Sequence, residues 1–269
     1  MPSPSMPCAL AIGGLDPGGG AGIVADLRAF AAAGVFGCTA IAVMTVQSTA
    51  GLRAVRAIRA RELAAQVSEV LAHQRVRAIK VGALGSRGNI RALARLLGRH
   101  RDLSIVVDTP ILPTRGRTRL LPSRDLRILR EELLPRATLV TLNLPEAEAL
   151  LGERVRTVGE AHDAARALAR TGVRAVLVKG GHMDGAAAID VLAIDGEVVE
   201  LRARRLTIAP THGTGCTLAS LVAGRLALAE PNPPSSERLI SAIRWAKRVH
   251  HAALGRVADV GDGMRVMVF

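Results

Sequence analysis

The chain of 269 residues is predicted to be an α/β protein with a mainly parallel central sheet and helices on both faces. Three observations carry this prediction. Short apolar runs of strand length alternate with segments of helical period. Most of those runs are continuously apolar, as strands buried on both faces must be. The polar residues Gln47, Lys80, Asp108, Asn143, Glu146 and Lys179 fall at or just past the C-terminal ends of predicted strands, the edge where such sheets bind ligands.

In chain order, Cys8 to Gly13 reads as a buried strand and Gly14 to Gly22 (GLDPGGGAG) as a glycine-rich loop. Ile23 to Ala33 follows as a helix with Ile23, Leu27 and Phe30 on its apolar face. Asp26 lies at the edge of that face and reads, from the spacing alone, as a solvated carboxylate. Cys38 to Thr45 is a second strand, ended by Gln47-Ser48-Thr49, whose side chains can hydrogen-bond a heterocycle. Glu62 to His73 is a helix, Arg77 to Val81 a strand, Asn89 to Gly98 a helix and Leu103 to Val107 a strand that ends on Asp108. Pro110, Pro113 and Gly116 make Thr109 to Thr118 a loop.

Ser123 is expected to cap a helix running to Leu134, and Thr138 to Leu142 is a strand running into Asn143-Leu144-Pro145-Glu146. Thr157 with Glu160 three residues later forms a capping box for a helix to Arg170. Arg174 to Val178 is a strand ending on Lys179-Gly180-Gly181-His182. Ala187 to Ile194 and Val198 to Leu206 pair across the turn Asp195-Gly196. A helix follows Cys216, and a last one spans Ser235 to Leu254, the two separated by Pro231, Pro233 and Pro234. No linker-like break is visible, so residues 1–269 are expected to form a single domain.

Composition excludes several classes of function. No apolar run approaches the length of a membrane span, and Met1 to Pro7 lacks the basic start and apolar segment of a secretory leader, so a cytoplasmic protein without a membrane partner is expected. Cys8, Cys38 and Cys216 have no metal-ligand spacing. The net charge of +13 and the clusters Arg202 to Arg205 and Arg115 to Arg119 invite a nucleic-acid reading. The arginines are spread over every helix, however, and aromatic residues make up 1% of the chain, so solvated faces and an anionic small substrate are the better account. Of the 36 basic residues only Lys80, Lys179 and Lys247 are lysine, and an ammonium touching a phosphate is one reason to retain each.

Thr211-His212-Gly213-Thr214-Gly215-Cys216-Thr217 opens the apolar helix that follows. A glycine-flanked turn at a helix start directs unpaired N–H groups and the positive end of the helix dipole at one spot, which binds anions. Cys216 at that mouth is expected to have its thiolate favoured and to serve as a base or nucleophile, the bland reading being a tight turn and a small packing residue. No G-x-x-x-x-G-K-[ST], G-x-G-x-x-G or G-x-S-x-G occurs. An anion-binding helix start, strand-end lysines and the acids Asp108 and Glu146, able to hold a divalent ion through water, suit phosphoryl transfer.

At Gly18 to Ile23, Val46 to Thr49, Lys80-Val81-Gly82, Asn143 to Glu148, Lys179 to His182 and Thr211 to Thr217, the chain resembles the hydroxymethylpyrimidine/phosphomethylpyrimidine kinases of thiamin biosynthesis, of the ribokinase-like superfamily. The resemblance implies a ribokinase-like three-layer sandwich and an enzyme, often a homodimer, that uses ATP and Mg²⁺. Its acceptors would be the aminopyrimidine alcohol 4-amino-5-hydroxymethyl-2-methylpyrimidine and its monophosphate. It further implies that Gly14, Asp26, Gln47 and Ala83 line the pyrimidine site and that Gly213, Thr214 and Gly215 form an anion hole with Cys216 as base or proton relay. Lys179, Thr211 and Gly213 would meet ATP phosphates, and Asn143, Glu146 and Asp108 would be tied to the metal. From the residues alone, Glu146 is equally an acidic first turn, Lys80 equally a strand-end lysine reaching for solvent, and His182 a loop histidine. Ala83 stands where the family commonly has methionine, Leu15 for serine, Leu142 for proline and Thr109-Pro110 for Pro-Val. A pocket roomier at Ala83 keeps a vitamin B6 kinase as the alternative acceptor reading, and a non-catalytic pyrimidine-binding protein as another.

Overall fold

The computed structural model describes residues 6–111, 119–181, 183, 185–230 and 232–269. The first five residues of the chain, positions 112–118 with Arg115 and Arg117, His182, Asp184 and Pro231 lie outside the described residues.

The strands β1 (Cys8–Leu15), β2 (Phe36–Ser48), β3 (Gly51–Ala57), β4 (Val76–Val81), β5 (Ser104–Asp108), β6 (Leu139–Asn143), β7 (Ala175–Lys179), β8 (Ala187–Ile194) and β9 (Glu197–Arg204) form one sheet in the order β3-β2-β1-β4-β5-β6-β7-β8-β9. The six strands from β2 to β7 pair in parallel, while β3, β8 and β9 pair antiparallel at the two edges. The predicted mainly parallel α/β architecture is therefore present. The order reverses between β1 and β4, the kind of switch point at which open α/β sheets admit ligands.

Helices cover both faces. On one lie α2 (Ala60–His73), α3 (Arg87–Leu97), the mixed turns of 123–136, α5 (Leu144–Leu151) and α6 (Val158–Ala169); on the other lie α1 (Gly22–Ala32), α7 (Thr214–Ala227) and α8 (Ser236–Leu254). Side-chain alternation along each strand sorts the two cores. In β1, Cys8, Leu10 and Ile12 enter the first core while Ala9 and Ala11 enter the second, where small side chains let α1 and α7 approach the sheet closely. The same parity carries β4 through Ala78, β5 through Val106, β6 through Leu139 and β7 through Leu177 into the second core. Lys80, Asp108, Thr141, Asn143 and Lys179 each lie two or four positions further on, so all five fall on the face covered by α7.

The capping box of Thr157 and Glu160 forms as predicted, and Ser86 and Ser235 cap α3 and α8. Asp195 and Gly196, both at positive φ, make the two-residue turn between β8 and β9. Three expectations need correction. The predicted helix from Ser123 to Leu134 is instead a 3-10 turn Ser123–Asp125, a single α-turn α4 (Leu126–Ile128), a π-turn Leu129–Leu133 and a 3-10 turn Leu134–Arg136, and Ser123 does not cap it. Pro135 has no N–H to give to Glu131, so the ladder slips to the Leu134 N–H bonding the Leu129 carbonyl. The edge strand β3, GLRAVRA, was not expected, because its alternating arginines break the apolar run that marks a buried strand. The two-residue pairing of β10 (Thr211–His212) with β11 (Arg265–Val266) likewise left no signal, being too short to carry a period.

Candidate active site

Above the C-terminal ends of β1, β2 and β4 to β7, and beneath the start of α7, opens a cavity of ≈ 760 Å³. Helix α7 begins at Gly213, which takes the left-handed conformation at φ 75°, and no side chain caps it. The first amides of α7 thus keep the free donors that a helix start offers, and Gly213, Thr214, Gly215 and Cys216 line the cavity. Space requires glycine at Gly213, and Gly215 lies close under Lys179. A Cβ on Gly213 would sit 2.0 Å from the Gly20 carbonyl oxygen, and one on Gly215 would come within 3.1 Å of the Lys179 ammonium.

All three lysines of the chain line this cavity, and each is paired with a buried aspartate. Lys179 Nζ donates to Asp108 Oδ1 at 3.0 Å, and the same oxygen accepts from Thr141 Oγ at 2.9 Å. Burial would raise the Asp108 carboxyl, but the charges of Lys179 and Lys80 hold it below its usual range. Lys247 on α8 pairs with Asp190 on β8 and donates to the Leu201 carbonyl, while Asp190 also accepts from the Gly180 N–H at 2.8 Å. Lys80, only 1% exposed, donates to both oxygens of Asp26 at 2.9 Å, and Ser220 Oγ on α7 donates to Asp26 at 2.7 Å. Burial opposes the Lys80 charge, yet the Asp26 carboxylate, with Asp108 beyond it, raises the ammonium above its usual range and keeps it charged.

Two sequence readings are corrected here. Asp26 is neither solvated nor on the cavity surface: it is 0% exposed, and it meets the cavity only through Lys80. Lys80 does not reach for solvent, since the parity of β4 turns it under α1 and α7.

Gly14, Gln47, Ala83, Asp108, Asn143, Glu146, Lys179 and Thr211 do line the cavity. Asn143 and Glu146 are first of all a capping box for α5: Glu146 N–H donates to Asn143 Oδ1 at 2.9 Å, and Asn143 N–H donates to Glu146 Oε2 at 2.7 Å. Burial pushes the Glu146 carboxyl up to about 7, Lys179 pulling the other way and the Asp108 charge adding to the rise.

The surroundings of Cys216 oppose the thiolate expected there. Burial pushes its thiol up to about 12; Lys80 and the Gly22 N–H favour the thiolate, but Asp108 and Asp26 oppose it. The Cys216 side chain lines the cavity.

Sequence reasoning assigned no role to Asp16, His212, Asp190 or His250, all of which line the cavity together with Lys247. Asp16 accepts from the N–H groups of Gly18 and Ala21, both at 2.9 Å, and stands 3.0 Å from His212 Nε2. His250 on α8 is pushed down to about 4 by burial and, neutral, donates from Nε2 to the Thr214 carbonyl at 2.9 Å, fixing the first turn of α7. The scarcity of lysine was the one sequence signal that pointed to Lys247. The glycine loop is explained by packing: Cβ atoms on Gly18, Gly20 and Gly22 would collide with Ser48, His212 and the Gly14 carbonyl.

A profile described as phosphomethylpyrimidine kinase matches residues 16–267. The chain is 40% identical over 260 residues to the hydroxymethylpyrimidine/phosphomethylpyrimidine kinase of Rhizobium meliloti, covering 95% of this chain and 94% of that one. It is 40% identical over 216 residues to the Escherichia coli protein of the same description, covering 80% and 81% of the two chains. Among solved structures, it is similar to a Bacillus subtilis pyridoxal kinase in an ADP complex, at a TM-score of 0.85 and 30% identity, covering 98% and 97% of the two chains. It is also similar to the Clostridium difficile phosphomethylpyrimidine kinase, at a TM-score of 0.74 and 29% identity, covering 90% and 98%.

Proposed function

This chain belongs to the phosphomethylpyrimidine kinase family, and from that premise we propose how its cavity transfers a phosphoryl group. It is an ATP-using kinase of thiamin biosynthesis. The acceptors are 4-amino-5-hydroxymethyl-2-methylpyrimidine and its monophosphate, taken in turn at one site. The observation that carries the reading is the uncapped start of α7 opening onto a cavity into which Lys179 and Lys80 bring their charges.

Phosphoryl transfer passes through a loose transition state, so positioning and charge neutralisation supply most of the rate. The amides of Gly213 to Cys216 and the Lys179 ammonium surround the transferring group, and preorganised donors of this kind contribute on the order of 3 kcal/mol each. Gly14, Gln47 and Ala83 hold the pyrimidine, Thr211 meets phosphate, and Asp26 acts only by keeping Lys80 charged and in place. Cys216, protonated at neutral pH, acts as a relay, passing its S–H proton to a phosphate oxygen as its sulfur takes the hydroxyl proton.

Mg²⁺ fits the residues present. Asp108 Oδ2 and Glu146 Oε1 are outside the hydrogen bonds made by their partner oxygens, and the two carboxyls raise the free energy of one another's ionised form, a conflict that a cation resolves. One or two carboxylates with phosphate oxygens and waters are the usual Mg²⁺ set, so Asp108 and Glu146 would hold the ion, Asn143 contributing mainly the cap. When bound, the ion would neutralise charge on the phosphates. One kinase domain over residues 1–269, a homodimer and a cytoplasmic location complete the proposal; no described helix is long and apolar enough to cross a membrane.

Coupled measurement of ADP release with Mg-ATP and a panel of the aminopyrimidine alcohol, its monophosphate and pyridoxal tests the reading. Both pyrimidines are expected to stimulate ADP release well above pyridoxal. Release at background with either pyrimidine would overturn it, and a preference for pyridoxal would favour the B6 alternative.

A further inference from the structure

The hydrogen bonds around His212 determine which way the Gln47 amide faces. His212 Nε2 lies 3.0 Å from Asp16 Oδ2 and 3.0 Å from the terminal amide of Gln47, and its Nδ1 is buried with no partner among the described residues. Asp16, 2% exposed, accepts backbone N–H groups from Gly18 and Ala21. Burial alone would raise its carboxyl, but the His212 and Ala21 hydrogen bonds hold it below its usual range, so it is an acceptor only.

The hydrogen between Asp16 and His212 therefore sits on Nε2. A protonated Nε2 has no lone pair for an amide N–H, and a Gln47 nitrogen facing it would set two donors against each other. Gln47 must turn its oxygen to the ring, since the hydrogen-bond network decides which end of a side-chain amide is which. A bare Nδ1 is consistent, because a buried lone pair without a partner costs less than a buried N–H without one. The imidazole packs against Gly20, where a Cβ would lie 2.4 Å from His212 Cδ2.

The geometry points to Asp16 and His212 as positioning residues that lock the Gln47 amide with its NH₂ toward the cavity, so that the enzyme selects 4-aminopyrimidine over 4-oxopyrimidine rings. This rests on the pyrimidine kinase reading above. An aminopyrimidine edge offers a ring-nitrogen acceptor beside an amino donor, which matches an NH₂ beside an oxygen. The oxo ring offers N–H beside C=O, the reversed pattern, and sets like against like. A free amide would flip and accept either ring; a locked one does not.

The test compares kcat/KM for the aminopyrimidine alcohol and its 4-oxo counterpart, at saturating Mg-ATP, in the wild type, His212→Leu and His212→Gln. The wild type is expected to favour the amino ring on the order of 10²-fold, since a mispaired buried polar edge is rejected at least that strongly. His212→Leu frees the amide and brings the ratio to within about threefold of unity, with the KM for ATP changed less than about twofold. His212→Gln can still donate to both Asp16 and Gln47 and restores the preference. An unaltered preference in His212→Leu, or a wild type without one, overturns the proposal. A wild type that turns over neither ring overturns instead the kinase reading beneath it. Long-range ¹H–¹⁵N spectra of the ¹⁵N-histidine-labelled wild type provide a second test independent of any variant: His212 Nε2 is expected to carry a proton, and an unprotonated Nε2 overturns the proposal.

Discussion

Whether a helix start makes a cysteine reactive depends on what else surrounds the sulfur. At Cys216 the α7 dipole and the Lys80 ammonium favour the thiolate, but burial and the carboxylates of Asp26 and Asp108 outweigh them and push the thiol up to about 12. At pH 7 the thiolate fraction is then on the order of 10⁻⁵. Cys216 is accordingly expected to resist iodoacetamide at neutral pH, with alkylation followed by mass spectrometry rising about tenfold per pH unit above 7. Relay needs an S–H or O–H at that point, so Cys216→Ser should retain turnover to within about threefold while Cys216→Ala loses on the order of 10²-fold. Full turnover in the alanine variant would remove Cys216 from the proton path.

At the scale of the element, α5 shows one carboxyl serving two demands. Glu146 closes the capping box with Asn143 and sits buried at the cavity edge, with its carboxyl pushed up to about 7. Below about pH 4.5 the acid is protonated in both the folded and the unfolded chain and has no effect on stability. Between about 4.5 and 7 the unfolded chain releases a proton that the folded chain still holds, so stability falls as pH rises. Above 7 the penalty is complete, on the order of 3 kcal/mol. Glutamine keeps the cap without the charge. Urea unfolding of Glu146→Gln should therefore match the wild type near pH 4.5 and exceed it by about 3 kcal/mol at pH 8, while phosphoryl transfer falls. Equal stability at both pH values would show that the buried carboxyl carries no penalty.

For the whole molecule, the cavity draws its lining from eight strands of the central sheet, from helices α5, α7 and α8 among others, and from residues 208–212, and no part of it survives unfolding. A nucleotide should therefore bind the native state alone. At a hundredfold excess over its Kd it would contribute about 2.7 kcal/mol, or roughly 5 °C in Tm for a chain of this size. Thermal scans with Mg-ATP, set against equimolar inorganic sulfate, check this; equal shifts from both would indicate a non-specific anion effect. The +13 net charge does not alter that expectation. Arginines such as Arg59, Arg91 and Arg127 pair with glutamates on the exposed surface, where each pair contributes little.

The alternation of apolar runs with helical segments was enough to determine the parallel sheet, the helices on both faces and the edge at which the site lies, because side-chain period is a local property of the chain. The residue parity that brings Lys80, Asp108 and Lys179 under one helix was equally present in the sequence. What only tertiary structure decided is which charges face one another and how far water is excluded from them. Asp16 meets His212 across 196 residues, Lys80 meets Asp26 across 54 and Lys247 meets Asp190 across 57. Those encounters bury Asp26, keep the Cys216 sulfur protonated and orient Gln47. No local period carries such information, since the ionisation of a group depends on neighbours that only the folded chain brings within a few ångströms.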